Sequence, residues 1–309
     1  MKNFINISDH SSSDLRAIID EAKTRKLSRK GFNKSAPDDD KPFEGKSMAM
    51  IFEKPSTRTR MSFDIAAKQL GGSSIILNPD GIHYGKGDET LKDTAKVLTE
   101  YVDIVMLRTS SHKNLEEFGK HLDIPIINGL SDKSHPCQIM SDILTYEESN
   151  GSITGKTVSW LGDGDNNMSN SLIEAAGKFK FNLKIGCPKK YAPGKKILGW
   201  AKKNKVNLLI TQKPDEAVKN SDCVMTDKWV SMNDKVNKKK KLKHFKKFKI
   251  DKKLLSFAKK DCIFLHCLPR GKEVDEEIFS SGKSKVWQQA QNRIHVQKSI
   301  LLYCLNKLR

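Results

Sequence analysis

Short apolar runs recur along the whole chain, each followed by a stretch with helical spacing, and this alternation constrains the fold more than any other feature. Residues 47–52, 73–77, 104–107 and 124–127 read as buried strands, with helices expected at 90–101 and 114–122. Phe63, Ala66, Ala67 and Leu70 recur at i, i+3, i+4 and i+7, the stripe of an amphipathic helix, and Gly71-Gly72 stops it. A capped helix at 11–26 and a polar loop at 29–46 precede them. In the second half, 157–161, 183–186, 207–210, 223–226 and 263–265 read as strands separated by helices, and a closing helix spans 291–308. Alternation of this kind builds parallel α/β sheets, and 309 residues are too many for one small core. The expected class is α/β: two doubly wound parallel-sheet domains, the second Rossmann-like, joined by helices. Gly and Ser at 150–155 mark the boundary. The first domain is expected over 1–148, with the closing helix, 290–309, packing back on it, and the second over 149–289.

The densest chemistry follows the first strand, in Phe52-Glu53-Lys54-Pro55-Ser56-Thr57-Arg58-Thr59-Arg60. Ser56 is a natural N-cap, so the unpaired N–H groups of the first turn and the positive end of the helix dipole face outward. Hydroxyls and an arginine beside those N–H groups make a cradle for a phosphate or carboxyl phosphate. Arg58 and Arg60 stand about 200° apart around a helix, so Arg58 is assigned to the anion and Arg60 to a structural ion pair. A bare Ser-Thr-Arg would read as an ordinary cap with solvated arginines; the full string is more specific.

Other candidates lie where strands end. The loop 78–89 has three glycines and carries His83 and Lys86. Arg108 sits at the carboxyl end of a strand, the end at which parallel sheets bind ligands. Pro136 suits the first turn of a helix, which puts His135 and Gln138 at its mouth. Gly162-Asp163-Gly164 suggests a dinucleotide loop, but the third glycine and the acidic residue for a ribose are missing. A Rossmann-like layout without a nucleotide is the better reading, with Asn167 available to a small polar ligand. Asp227, after the strand at 223–226, can hold an ammonium group. Cys267 could be nucleophile, base, polar contact or buried thiol, and Arg293 could reach a cleft or pair on the surface.

Charge must be weighed against a nucleic-acid reading, because the formal net charge is +19. The excess is mostly lysine, densest over 235–260, and no RNA or DNA motif accompanies it. A solvated lysine-rich face that attracts small anions is preferred to polyanion binding. Six scattered cysteines without C-x-x-C spacing fit reduced thiols. Residues 1–14 are polar, and nothing approaches the ~18 apolar residues of a membrane span. A cytoplasmic protein with no membrane partner is expected.

Taken in order, Ser-Thr-Arg-Thr-Arg, Leu-Arg-Thr, His-Pro-Cys-Gln, Gly-Asp-x-x-Asn-Asn, Asp-x-Trp-Val-Ser-Met, His-Cys-Leu-Pro-Arg and a late Asn-Arg resemble the aspartate and ornithine carbamoyltransferase family. The Ser-Met and His-Cys-Leu-Pro strings favour its ornithine branch. The resemblance implies transfer of a carbamoyl group from carbamoyl phosphate to the side-chain amine of L-ornithine, giving citrulline and phosphate, a step of arginine synthesis. It implies no metal or cofactor, and a homotrimer with shared active sites. By resemblance, Ser56, Thr57, Arg58, Thr59 and Arg108 bind the phosphate, while Arg108, Thr59 and His135 polarise the carbonyl. Gln138 and the carbonyls of Cys267 and Leu268 hold the carbamoyl NH₂, and Arg293 completes that pocket. Asn167, Asp227, Ser231 and Met232 resemble the amino-acid site, with Cys267 near the attacking amine, and His83 the residue lent by a neighbouring subunit. Asn233 departs from the glycine usual there, at a hinge. An ornithine-type amine, of pKa ~10.4, is protonated at neutral pH, so Asp227 and Cys267 are expected to bind or create its neutral form. The alternatives are an acylated ornithine or other diamine as acceptor, or a polyanion-binding protein on a degenerate enzyme fold.

Overall fold

The computed structural model describes residues 1–78, 89–230 and 238–308. The chain divides into two compact units, Met1–Met140 with Gln291–Arg309, and Ser141–Ala290. Both divisions fall inside helices.

The first unit contains α1 (Ser12–Ser28), β1 (Ser47–Phe52), α2 (Thr57–Gln69), β2 (Ser73–Leu77), α3 (Leu91–Tyr101), β3 (Ile104–Arg108), α4 (His112–His121), β4 (Ile126–Leu130) and the start of α5 (Pro136–Asn150). Its four strands are all parallel, in the order β2-β1-β3-β4. Burial follows position. Central β1 and β3 are buried almost throughout, as strands covered on both faces should be, whereas edge strand β2 leaves Ile75 and Ile76 exposed. Ala49, Ile51, Val105 and Leu107 pack with Ala95 and Leu98 of α3 and with Leu115 and Phe118 of α4. β4 starts later than the expected 124–127 and continues through Asn128-Gly129, a pair that reads as a turn. Asn128 is tolerated because its buried amide donates to Ser134 Oγ at 2.8 Å and to Ile5 O at 3.0 Å.

The second unit runs through β5 (Thr157–Leu161), α6 (Asn167–Phe179), β6 (Asn182–Gly186), α7 (Lys195–Lys203), β7 (Leu208–Thr211), α8 (Pro214–Val218) and β8 (Cys223–Thr226). Then come α9 (Lys238–Phe245), α10 (Lys252–Leu255), β9 (Ile263–His266), α11 (Glu276–Phe279) and the start of α12 (Val286–Cys304). The sheet is parallel, in the order β7-β6-β5-β8-β9, around a core of Leu161, Val224, Phe264, Phe245 and Phe248. α12 begins at Val286, before the expected start at Gln291. The Gln- and Ala-containing stretch ahead of Gln291 favours helix and holds no breaker.

The expected class, α/β with two doubly wound parallel sheets, is what the chain adopts. Strand order reverses direction between β1 and β3 in the first sheet and between β5 and β8 in the second. Such a reversal sends the two following connections to opposite faces, leaving a crevice at the carboxyl ends of those strands.

Candidate active site

In the first unit the crevice lies between the ends of β1 and β3, whose last residues, Phe52 and Arg108, pair in register. The chain leaves β1 into the stretch that opens α2. Glu53 Oε2 accepts from Thr109 Oγ1 at 2.6 Å and from Ser110 N at 3.1 Å, which ties the two strand ends together. Ser56 is the N-cap of α2, its Oγ accepting from Thr59 N at 3.3 Å, so Thr57, Arg58 and Thr59 form the first turn as expected. Thr59 is buried, and its hydroxyl accepts from Arg108 Nη1 at 3.2 Å and from Arg293 Nη2, also at 3.2 Å. Arg293 Nη1 donates to Gln138 Oε1 at 2.8 Å. That carbonyl oxygen has a second lone pair to offer a ligand.

Thr59, Arg108, Gln138 and Arg293, far apart in sequence, thus form one buried cluster. His135 is buried too, just before α5. Burial pushes its pKa well below that of an ordinary histidine, and Arg293, Arg108 and Arg58 push the same way. The ring is therefore neutral at pH 7, and a neutral imidazole can donate a hydrogen bond without carrying charge. Arg60 differs from expectation: among the described residues it makes no ion pair, but donates to Asn78 Oδ1 at 3.4 Å and lies over the Phe52 ring at 5.5 Å. Arg60 lies instead against the last residue of β1, where an aromatic face is its neighbour.

In the second unit the crevice lies between β5 and β8. Asn166, the N-cap of α6, accepts from Ser169 N at 2.8 Å and donates to Asp227 Oδ2 at 2.9 Å. Asn167 is the first residue of α6. Asp227 is buried, and its Oδ1 has no partner among the described residues. Burial drives its pKa well above the usual carboxylate range, and Asp163 and Glu273 add to this, against Lys241 and the bond from Asn166. A buried carboxyl with an unused oxygen is suited to a cationic ligand, which would restore the missing charge balance.

Gly164, in the loop that suggested a nucleotide, serves close packing: its N–H donates to Tyr191 O at 2.9 Å, and an added Cβ would stand 2.8 Å from that oxygen. Lys241 corrects the solvated reading of the lysine run. It is buried, pairs with Asp163 at 2.7 Å and lies over the Tyr191 ring at 5.3 Å. Tertiary contact with a buried aspartate decides this, and no local signal separates Lys241 from its neighbours.

β8 and β9 pair with Thr226 opposite His266, so Asp227 and Cys267 leave adjacent strand ends. Cys267 and Leu268 are half-buried, and Leu268 has φ +55°, a conformation costing a branched residue about 1–3 kcal/mol. All six cysteines are free. His83, Ser231, Met232 and Asn233 lie outside the described residues. Among the described residues no His, Cys, Asp or Glu cluster could hold a metal ion, and no helix is long and apolar enough to cross a membrane.

Sequence reasoning missed Glu53, Asn166, Glu273 and the Asn128–Ser134 pair that precedes His135. For Asn166 a signal existed: Asn three residues before Ser169 is a capping pattern.

Residues 2–148 match the family model for the aspartate/ornithine carbamoyltransferase carbamoyl-P binding domain, and residues 154–304 the model for its Asp/Orn binding domain. The chain is 44% identical over 307 residues to a Mesorhizobium japonicum protein named ornithine carbamoyltransferase, covering 99% of each. Among solved structures it is similar to the ornithine carbamoyltransferase from Pyrococcus furiosus, with TM-score 0.92 and 38% identity over 100% of this chain and 98% of that one. It is also similar to the anabolic ornithine carbamoyltransferase from Campylobacter jejuni, with TM-score 0.90 and 37% identity over 99% and 100%.

Proposed function

We propose, from the premise that this chain belongs to the aspartate/ornithine carbamoyltransferase family, that it moves the carbamoyl group of carbamoyl phosphate to the side-chain amine of L-ornithine. The observation that carries this reading is the buried cluster at the N-terminus of α2, where Arg108 and Arg293 share the Thr59 hydroxyl and His135 is held neutral. Guanidinium groups and the positive N-terminal end of α2 match a phosphate dianion, and the match strengthens as the leaving group gains charge.

Ser56, Thr57, Arg58, Thr59 and Arg108 bind the phosphate. Arg108, Thr59 and His135 donate to the carbonyl oxygen, which gains charge as the amine attacks. A neutral imidazole can supply such a donor through its ring N–H. Gln138, Arg293 and the carbonyls of Cys267 and Leu268 orient the carbamoyl group. Asp227, with Asn167, Ser231 and Met232, holds the amino-acid end of ornithine. The neutral side-chain amine forms the new C–N bond, with Cys267 beside it. The C–O bond to phosphate breaks, and the amine proton leaves with phosphate or solvent.

A homotrimer and a cytoplasmic setting belong to the same reading. Met61, Ile75, Ile76, Val97 and Tyr101 leave apolar surface exposed on the first unit, as an assembly face would. Six free thiols suit a reducing compartment. Purified protein given carbamoyl phosphate should form citrulline from ornithine, and little product from N-acetylornithine, putrescine or aspartate. Equal turnover of the acetylated compound would sink the assignment, because Asp227 is held to require a free α-amino group.

A further inference from the structure

His266 ends β9, and both of its ring nitrogens are committed within the second unit. The backbone N–H of Leu268 donates to Nδ1 at 2.8 Å. A backbone N–H can only donate, so Nδ1 is the unprotonated nitrogen and the ring proton sits on Nε2. From there it is donated to Glu273 Oε1 at 3.0 Å. His266 and Glu273 are each 1% exposed, so no water competes for these bonds. The same carboxylate accepts from the N–H of Gly271, and the His266 N–H donates to Gln289 Oε1 at 3.0 Å. The Nδ1 bond therefore holds a leucine at positive φ, a conformation that persists only where its surroundings impose it.

We propose that Glu273 is a positioning residue of the transfer reaction: by keeping the His266 proton on Nε2, it leaves Nδ1 open to the Leu268 amide and fixes the Cys267–Leu268 turn. This rests on the role given above to the carbonyls of Cys267 and Leu268. Without the Glu273 acceptor the proton is free to move to Nδ1. Two donors then face each other, and the turn loses the bond that sets its carbonyl directions.

The test compares Glu273→Leu, which removes the acceptor, with Glu273→Gln, which keeps a carbonyl oxygen in the same place. Both lose the negative charge that Glu273 places near Asp227, so the difference between them reads the hydrogen bond alone. In the citrulline assay, Glu273→Leu should lower kcat by about ten- to a hundredfold, the effect of a misplaced contact, with KM for carbamoyl phosphate little changed. Glu273→Gln should recover to within about threefold of wild type. His266→Asn, whose side-chain oxygen can accept from Leu268 without help, should be indifferent to a second change at Glu273. Nitrogen NMR of histidine-labelled wild type should show Nδ1 of His266 unprotonated.

Equal kcat in Glu273→Leu and wild type, an unrescued Glu273→Gln, or a protonated Nδ1 would each overturn the proposal. Should Glu273→Leu not fold, the His266→Asn pair with and without Glu273→Gln decides, and any fall in kcat caused there by Glu273→Gln counts against it. A wild type that forms no citrulline defeats the functional reading instead, since the variant comparison then has no reaction to read.

Discussion

Asp227 shows how one residue can be held against the preference of the fold. Its pKa is raised by burial and by Asp163 and Glu273, so the folded protein binds its proton more tightly than the unfolded chain does. Between the unfolded value, ~4, and the raised folded one, the folded state holds the extra proton, so stability falls as pH rises through that window. Asp227→Asn removes the penalty. It should raise the melting temperature at pH 7, with the gain shrinking toward pH 4. The same change should weaken ornithine by at least about a hundredfold, because an ammonium group would lose its buried partner, worth about 3 kcal/mol or more. Melting curves against pH and KM for ornithine check both halves. A melting temperature that falls at neutral pH would mean that the carboxylate is satisfied in the free protein. Binding of the ammonium group should also expel the proton from Asp227. Calorimetry in buffers of different ionisation heat would read that release.

At the scale of elements, α1 and α12 meet the 29–46 segment through a buried charge network. Arg25 binds Glu21 at 2.7 Å and Asp38 at 3.0 Å, Arg29 binds Asp38 at 2.6 Å, and Lys298 binds Asp38 at 2.6 Å. Burial lowers the Lys298 pKa to about 8, despite the pull of Asp38. The folded state therefore releases this proton more readily, and its contribution to stability rises with pH between about 8 and the ordinary lysine value, 10.5. The two partners should behave oppositely. Lys298→Met leaves Asp38 with two arginines and should cost little or even stabilise, whereas Asp38→Ala strands buried cations and should cost about 3–5 kcal/mol. Urea unfolding at pH 7 would measure both, and comparable losses would show that Lys298 is a net stabiliser.

For the whole molecule, the proposed trimer makes a prediction that no single subunit can satisfy. If His83 reaches a neighbour's site, each site takes Arg58 from one chain and His83 from another in a closed ring. Arg58→Ala and His83→Ala proteins should each be impaired. Denatured together in equal amounts and reassembled, they should regain activity in about a quarter of sites, by random assembly in a heterologous ring. Hybrids that form, as shown by sizing, without gaining activity over the separate mutants would remove His83 from the site.

The sequence by itself determined the order of strands and helices and the α2 cap, because these depend on side-chain periodicity and short-range hydrogen bonds. Ser56 needed only Thr59, three residues away, to declare itself a cap. Tertiary structure alone decided which distant groups share a charge environment. Thr59 Oγ1 joins Arg108 to Arg293, and Lys241 leaves its lysine-rich helix face for Asp163. Glu273, which reads as one more acidic residue in Lys-Glu-Val-Asp-Glu-Glu, becomes the partner of His266. Arg60 went the other way, from an expected ion pair to an aromatic neighbour. The physical reason is common to these cases: burial and electrostatic partnership are set by proximity in space, and a run of identical charges carries no local mark of which one will be desolvated.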